Sequence, residues 1–493
     1  MPHLRLQRSI PDNVQLLRGI SIAKEIRSLM IRSIFRVALP LMFFRHWAAL
    51  AVMFLSASYL LFFANESFAT GPFTAEHAAG PATSADERKL IDYIDHHGDA
   101  ALDLLKRVVN VNSGTQNFSG VKEVGAMFRS EFEALGFQTQ WADGASWNRA
   151  GHLIAEHPGP GPRLLLIGHL DTVFQKDSTF QRYEPIDAKT AKGPGIIDMK
   201  GGDVIIVQAL KALDAAGLLK AMNICVVMTG DEEDDGRPLN LARAALVNAA
   251  KGSIAAIGFE DGDGNPAHAI IARRSAASWI LKVTATSGHS SQICSPELGC
   301  GAIYDALRIL KTLQDDMQEP HLTINPGVIV GGTDVGYDEA SSKGTSFGKT
   351  NVIAGRTVVT GDLRALTPEQ IKQTIAKAKA TVGEPRPNTS ASIDFDEGYP
   401  PLAPTEGNSK LLALYDQVSR DLGLGPVEAV SPDKAGAADV SFVAGIVPMI
   451  LDGVGLKGHD DHSPNETAEL ATLPLQSKRA AVLLLRLSQS RPQ

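Results

Sequence analysis

Three short apolar runs each lead directly into a residue that can hold a proton or a metal, and this constrains the fold most. LLLIGHL (164–170) ends around His169, AAIGFED (255–261) ends around Glu260, and MNICVVMTG (222–230) is followed at once by DEED. Runs so short and so continuously apolar read as strands buried on both faces. Helical patterns separate them, GGDVIIVQALKALDAAG (201–217) and LNLARAALVNAA (239–250). Alternating strands and helices predict an α/β domain with a central sheet flanked by helices. In such a sheet the carboxyl ends of the strands line a crevice, the usual place for a site. Two amphipathic helical stretches precede the first run, within 87–111 and 121–137, the second ended by Gly136.

The pattern changes near residue 275. Strand-like SWILKVTATS (278–287) is followed by a helix over 299–316, strands over 322–332 and 351–366, a helix over 368–383 and a strand over 390–398. This β-α-β-β-α-β order predicts a self-contained ferredoxin-like unit. Helix and strand patterns of the first kind return with KLLALYDQVSRDLG (410–423) and VPMILDG (447–453). The expected organisation is a larger domain over 85–274 and 396–493, with 275–395 inserted into it.

The amino-terminal part has a different character. Eight Lys and Arg residues stand against two acidic ones in residues 1–46, and residues 47–64 carry no charge. Ser-Phe-Ala at 67–69 then places small residues at the positions a signal peptidase reads. This order predicts a secretory signal cleaved after Ala69, with residues 70–84 as a linker; an uncleaved membrane anchor is the alternative. Met42 opens a more typical leader, which suggests a misassigned start upstream of it. Removal of residues 1–69 would change the net charge from −8 to −13. With that sign and no basic stripe, nucleic acid is not an expected partner. Three cysteines are too few for a disulfide framework; Cys225 reads as a buried thiol, and Cys294 and Cys300 could pair in an oxidising compartment.

His169 and Asp171 are two residues apart and can share one strand face. There a carboxylate can take one ring proton and leave the other nitrogen for a metal. Asp198 lies in a glycine-rich loop, Glu232 and Glu233 follow a strand, Glu260 follows another, and His462 stands in HDDHSPNE (459–466). Two imidazoles and several carboxylates suit two zinc-like ions. Asp198 suits the bridge between them, and the Glu232–Glu233 pair offers one carboxylate for metal and one for water.

GHLDTV, GPGIIDMKGG, TGDEE, GFED and HSPNE, in this order over roughly residues 85–490, resemble the co-catalytic zinc peptidase family of glutamate carboxypeptidase, succinyl-diaminopimelate desuccinylase, aminoacylase and peptidase T. The resemblance implies that His169, Asp198 and Glu260 hold one ion, and that Asp198, Glu233 and His462 hold the other, both Zn²⁺ with Co²⁺ or Mn²⁺ as substitutes. It implies that Asp171 orients His169, that Glu232 is the general base, and that a cis peptide follows Asp198. It makes the inserted unit a lid and dimerisation domain. His289 in SGHSS would polarise the scissile carbonyl in the neighbouring subunit, and Asn351 and Arg364 would hold substrate. Gly436, in GAADVSF, resembles the loop that meets the substrate carboxylate. The expected function is a secreted or periplasmic exopeptidase, carboxypeptidase-like, acting on short peptides, with N-acyl amino acid deacylation as the alternative. The expected assembly is a homodimer. One departure stands out: relatives that prefer C-terminal glutamate carry an arginine where this chain has Tyr399, in GYPPL.

Overall fold

A computed structural model describes residues 83–490 apart from 340 and 385. The expected signal over 1–69 and nearly all of the 70–84 linker lie outside the described residues. Among the described residues no helix is long and apolar enough to cross a membrane.

The first described helix, Ala85–His96, starts on a capping box between Ser84 and Glu87. The helical run over 87–111 is in fact two helices, with Gly98–Val109 as the second. The break falls at His97, whose ring bonds back to the Tyr93 carbonyl at 2.8 Å, next to Gly98, a poor helix former. A third helix, Phe118–Ala134, is capped by Asn117.

The central sheet contains β1 (Gln138–Asp143), β2 (Gly151–His157), β3 (Arg163–His169), β4 (Asn223–Thr229), β5 (Ser253–Gly258) and the short strand Ile450–Leu451. Their spatial order is β1-β2-β4-β3-β5-(Ile450–Leu451). β3 runs parallel to β4 and β5, while β2 is antiparallel to β1 and β4. The apolar strands are buried on both faces, and the strand period sorts their side chains. Leu164, Leu166, Ile224, Val226 and Met228 join a core with the helices Gly201–Ala215 and Thr472–Gln489. Leu165, Ile167, Cys225 and Val227 face the other way, against Leu246, Val440 and Val443. Burial of each large side chain contributes roughly 1.5–3 kcal/mol.

Residues 276–399 form a second sheet from β6 (Ala276–Ala285), β7 (Thr323–Gly332), β8 (Arg356–Arg364) and β9 (Thr389–Tyr399). The order is β7-β8-β6-β9, with every neighbouring pair antiparallel. Helices Gly301–Asp316 and Pro368–Val382 cover one face, burying Trp279, Leu281, Val359 and Ile393. Read along the chain this is β-α-β-β-α-β, with an added two-stranded ribbon, Asp334–Asp338 against Lys343–Phe347. The sequence carries no cue for that ribbon, because both strands are short and the second, KGTSF, is exposed throughout and rich in Gly, Ser and Thr.

Candidate active site

The strand register brings the first candidates to one level. His169 closes β3 opposite Thr229, the last residue of β4. Ile167 pairs with Gly258 on the other side, so Glu260 leaves β5 level with His169. The loop after β4 carries Glu232 and Glu233 over the same edge. Asp198 arrives from the glycine-rich segment before the Gly201–Ala215 helix. There Gly195 has φ +70°, and a side chain would collide with Thr172 at 2.4 Å, so glycine is required. The Asp198–Met199 peptide is cis.

Asp198 lies between the two histidines. One of its carboxylate oxygens stands 3.0 Å from His169 Nε2, and the other 2.9 Å from His462 Nε2. Glu260 flanks the first side at 3.6 Å from His169 Nε2, and Glu233 the second at 3.1 Å from His462 Nε2. Asp461, which the sequence reading did not single out, also offers an oxygen within 4.8 Å of Asp198 and His462. The Glu233 side chain is buried beside His462, whereas Asp461, which groups with Asp198 and His462, is exposed.

The electrostatics of the cluster fit a bound cation. Burial, together with Asp198 and neighbouring carboxylates, pushes Glu260 and Glu232 well above the usual carboxylate range, and Glu233 to about 7. Hydrogen bonds to Asp198 and Glu233 lift His462 to about 11. Glu233 Oε1 is buried with no hydrogen-bond partner. Crowded carboxylates that hold protons, beside an orphaned oxygen, are what divalent cations would relieve. Nitrogen and oxygen donors in this number suit such ions.

Asp171 lies against His169 and has a second task. The nearest acceptor to His169 Nδ1 is the Asp171 main-chain carbonyl, at 3.1 Å, with the carboxylate at 3.5 Å. The carboxylate is occupied elsewhere: it accepts the Thr115 hydroxyl at 2.6 Å and the backbone N–H groups of Glu232 and Glu233, each at 3.1 Å. Asp171 therefore fixes the Glu232–Glu233 loop as well as His169. Glu466 does the same for the Asp198 loop, accepting N–H groups from Gly195, Ile197 and Asp198 at 2.8, 2.9 and 3.2 Å. It belongs to HSPNE, but nothing in that motif marks which of its residues has this task.

The remaining candidates stand apart from this cluster. His289 is exposed, and its Nδ1 accepts the Ser291 N–H at 3.3 Å. The Asn351 carbonyl accepts the Ser290 N–H, which joins the His289 and Asn351 loops. Arg364 pairs with Asp362 on its own strand at 3.1 Å. Among the described residues no hydrogen bond or ion pair links these three to the metal cluster. Gly436 is exposed, and its carbonyl accepts from Arg273 at 2.7 Å. Cys294 and Cys300 form a disulfide just after the His289 loop.

With this geometry in place, comparison with known proteins is decisive at the level of class. The chain belongs to peptidase family M20/M25/M40, whose sequence model matches residues 165–486. It is thus a metal-dependent exopeptidase or amidohydrolase. Among individual proteins it is 23% identical to carboxypeptidase G2 of a Pseudomonas species, over 78% of this chain and 89% of that protein. It is 31% identical to acetylornithine deacetylase of Proteus mirabilis, over 41% of this chain and 53% of that protein. The fold matches aminopeptidase PepT from Bacillus cereus with a TM-score of 0.65 at 17% identity, covering 80% of this chain and 99% of that one. It also matches the YXEP protein of Bacillus subtilis, described as a dinuclear metal-binding peptidase, with a TM-score of 0.55 at 14% identity, over 80% of this chain and all of that one.

Proposed function

We propose that the protein is a carboxypeptidase-like exopeptidase that hydrolyses an amide bond in short peptides or N-acyl amino acids with a free carboxylate. The observation that carries this reading is the two-sided placement of Asp198 between His169 and His462, at 3.0 and 2.9 Å, with Glu232 alongside. His169, Asp198 and Glu260 would hold one Zn²⁺, and Asp198, Glu233 and His462 the other; Co²⁺ or Mn²⁺ suits the same donors. When bound, such a pair polarises a carbonyl and lowers the pKa of water. Glu232 takes the proton of the attacking water and returns it to the leaving amine, work suited to a carboxylate whose pKa burial has raised. Asp171 holds the Glu232 backbone while it does so. His289 accepts at Nδ1, so in its neutral form Nε2 carries the proton and can donate to the developing oxyanion. Asn351, Arg364 and the Gly436 loop hold the rest of the substrate.

The inserted domain serves as a lid and a dimer contact. Its edge strand β7 is paired on one side only, and Ile329 within it is 51% exposed. Ile303, Tyr304 and Leu307 present a further apolar face on the neighbouring helix, Tyr304 at 56% exposure. An open edge beside an apolar helix face suits a second copy of the chain. Secretion or a periplasmic location is supported by the apolar segment after a basic leader and by the Cys294–Cys300 disulfide. A membrane-anchored form differs in location, with the same chemistry.

Deacylation of an N-acyl amino acid is the second reading, favoured by the similarity to acetylornithine deacetylase. A panel of dipeptides and of acetyl- and succinyl-amino acids separates the two. Turnover confined to dipeptides supports the exopeptidase, and turnover confined to acyl derivatives supports the deacylase. Inactivity on both classes by a metal-loaded dimer contradicts both.

A further inference from the structure

The last strand of the inserted sheet delivers a side chain into the larger domain. β9 keeps register with β6 up to Asp396↔Ser278 and resumes at Tyr399↔Ala276, with a bulge between. Gly398 makes the bulge, with φ +50° and space for no side chain, since a Cβ would stand 2.1 Å from the Ala276 carbonyl. Pro400 and Pro401 follow, and the chain leaves the sheet. The bulge turns Tyr399 inward, where only 8% of it is exposed.

Inside, the Tyr399 hydroxyl meets the loop that carries the general base. It stands 3.0 Å from the Glu232 carbonyl as donor, with Asp439 Oδ1 at 3.3 Å as the alternative acceptor. Arg243 donates to the same hydroxyl. Arg243 is itself buried, and it pairs with Asp231 at 2.6 Å and Asp439 at 2.9 Å. Asp439 in turn accepts from Thr229, the last residue of β4. Glu232 is thus gripped from two sides. Asp171 holds its N–H from the larger domain, and Tyr399 holds its carbonyl from the inserted one.

We infer that Tyr399 is a positioning residue that lets the placement of the inserted domain set the Glu232 carboxylate for proton transfer. The inference rests on Glu232 being the base. It gives Tyr399 a task in holding the Glu232 loop. Displacement of a general base by a fraction of an ångström costs rate without costing substrate affinity.

The test compares two variants of the full-length, metal-loaded protein. Tyr399→Phe keeps the ring against Phe442 and under the Arg243 guanidinium, so the fold is retained, as circular dichroism checks. Gly398→Ala keeps the hydroxyl but pushes the bulge off the Ala276 carbonyl. Both should lower kcat about 10-fold, with KM within about twofold and metal content unchanged. Arg237→Ala removes the exposed ion pair to Asp396, a contact between the same loop and strand at 3.0 Å, and should leave kcat as it was. A lower melting temperature with unchanged kcat in both test variants would mean a merely structural role and would overturn the inference, with Glu232 still the base. Unchanged kcat in Glu232→Gln would instead remove the base itself, and the inference with it.

Discussion

The two sheets of this protein present their polar residues in opposite ways. At the carboxyl edge of the central sheet, His169, Asp171, Asp198, Glu232, Glu233 and Glu260 are buried or partly buried and bonded to one another or to backbone. In the inserted domain, His289 and Asn351 are exposed and Arg364 is half-buried, with their bonds inside that domain. The first group meets within one chain, with His462 beside Asp198 and Glu233. Among the described residues, the second makes no hydrogen bond or ion pair with the first. Metal binding should therefore depend on the central sheet alone, whereas turnover should need the inserted sheet brought to a site.

The largest effect that would break this division is at Glu232. Glu232→Gln should lower kcat on the order of 10³-fold or more while metal content by mass spectrometry stays at the wild-type value. Loss of metal together with activity would make Glu232 a ligand. His289→Ala should cost about 10²-fold in kcat, with a melting temperature unchanged within error, because the residue is exposed. Mixing His289→Ala chains with Glu232→Gln chains sharpens the point. Recovery of activity shows that the histidine acts across a dimer, and no recovery places it in its own chain's site. Glu466→Gln should weaken metal affinity about 10-fold, since the three N–H groups of the Asp198 loop then share a single amide oxygen in place of two carboxyl oxygens. Titration with a competing chelator reads that shift. The smallest effect is at Cys225, whose burial pushes its thiol to about 12, and it should resist alkylation until the chain unfolds.

The same contrast explains what the sequence made legible. Strands β3, β4 and β5 were readable because strands buried on both faces are continuously apolar and end where the chemistry begins. β1 and β2 were not, because QTQWAD and GHLIAEH mix polar and apolar residues without a clear period. The helix over 239–250 was read as continuous, but it divides into Leu239–Ala242 and Ala244–Ala249 around Arg243. The cause is long-range: Arg243 is drawn inward to Asp231 and Asp439, and no local pattern shows that. Metal-type donors were legible as motifs because their chemistry limits the residue types. Supporting residues such as Thr115, Glu466 and Tyr399 were not, since a threonine, a glutamate or a tyrosine takes such a task only through neighbours distant in sequence.

The central claim is that Asp198 joins two cation sites between His169 and His462. Anomalous diffraction at the zinc edge, from crystals grown with zinc, tests it most directly. The account predicts two peaks about 3.5–4 Å apart on either side of the Asp198 carboxylate. A single peak, or peaks at other residues with His169 and His462 bare, would contradict it.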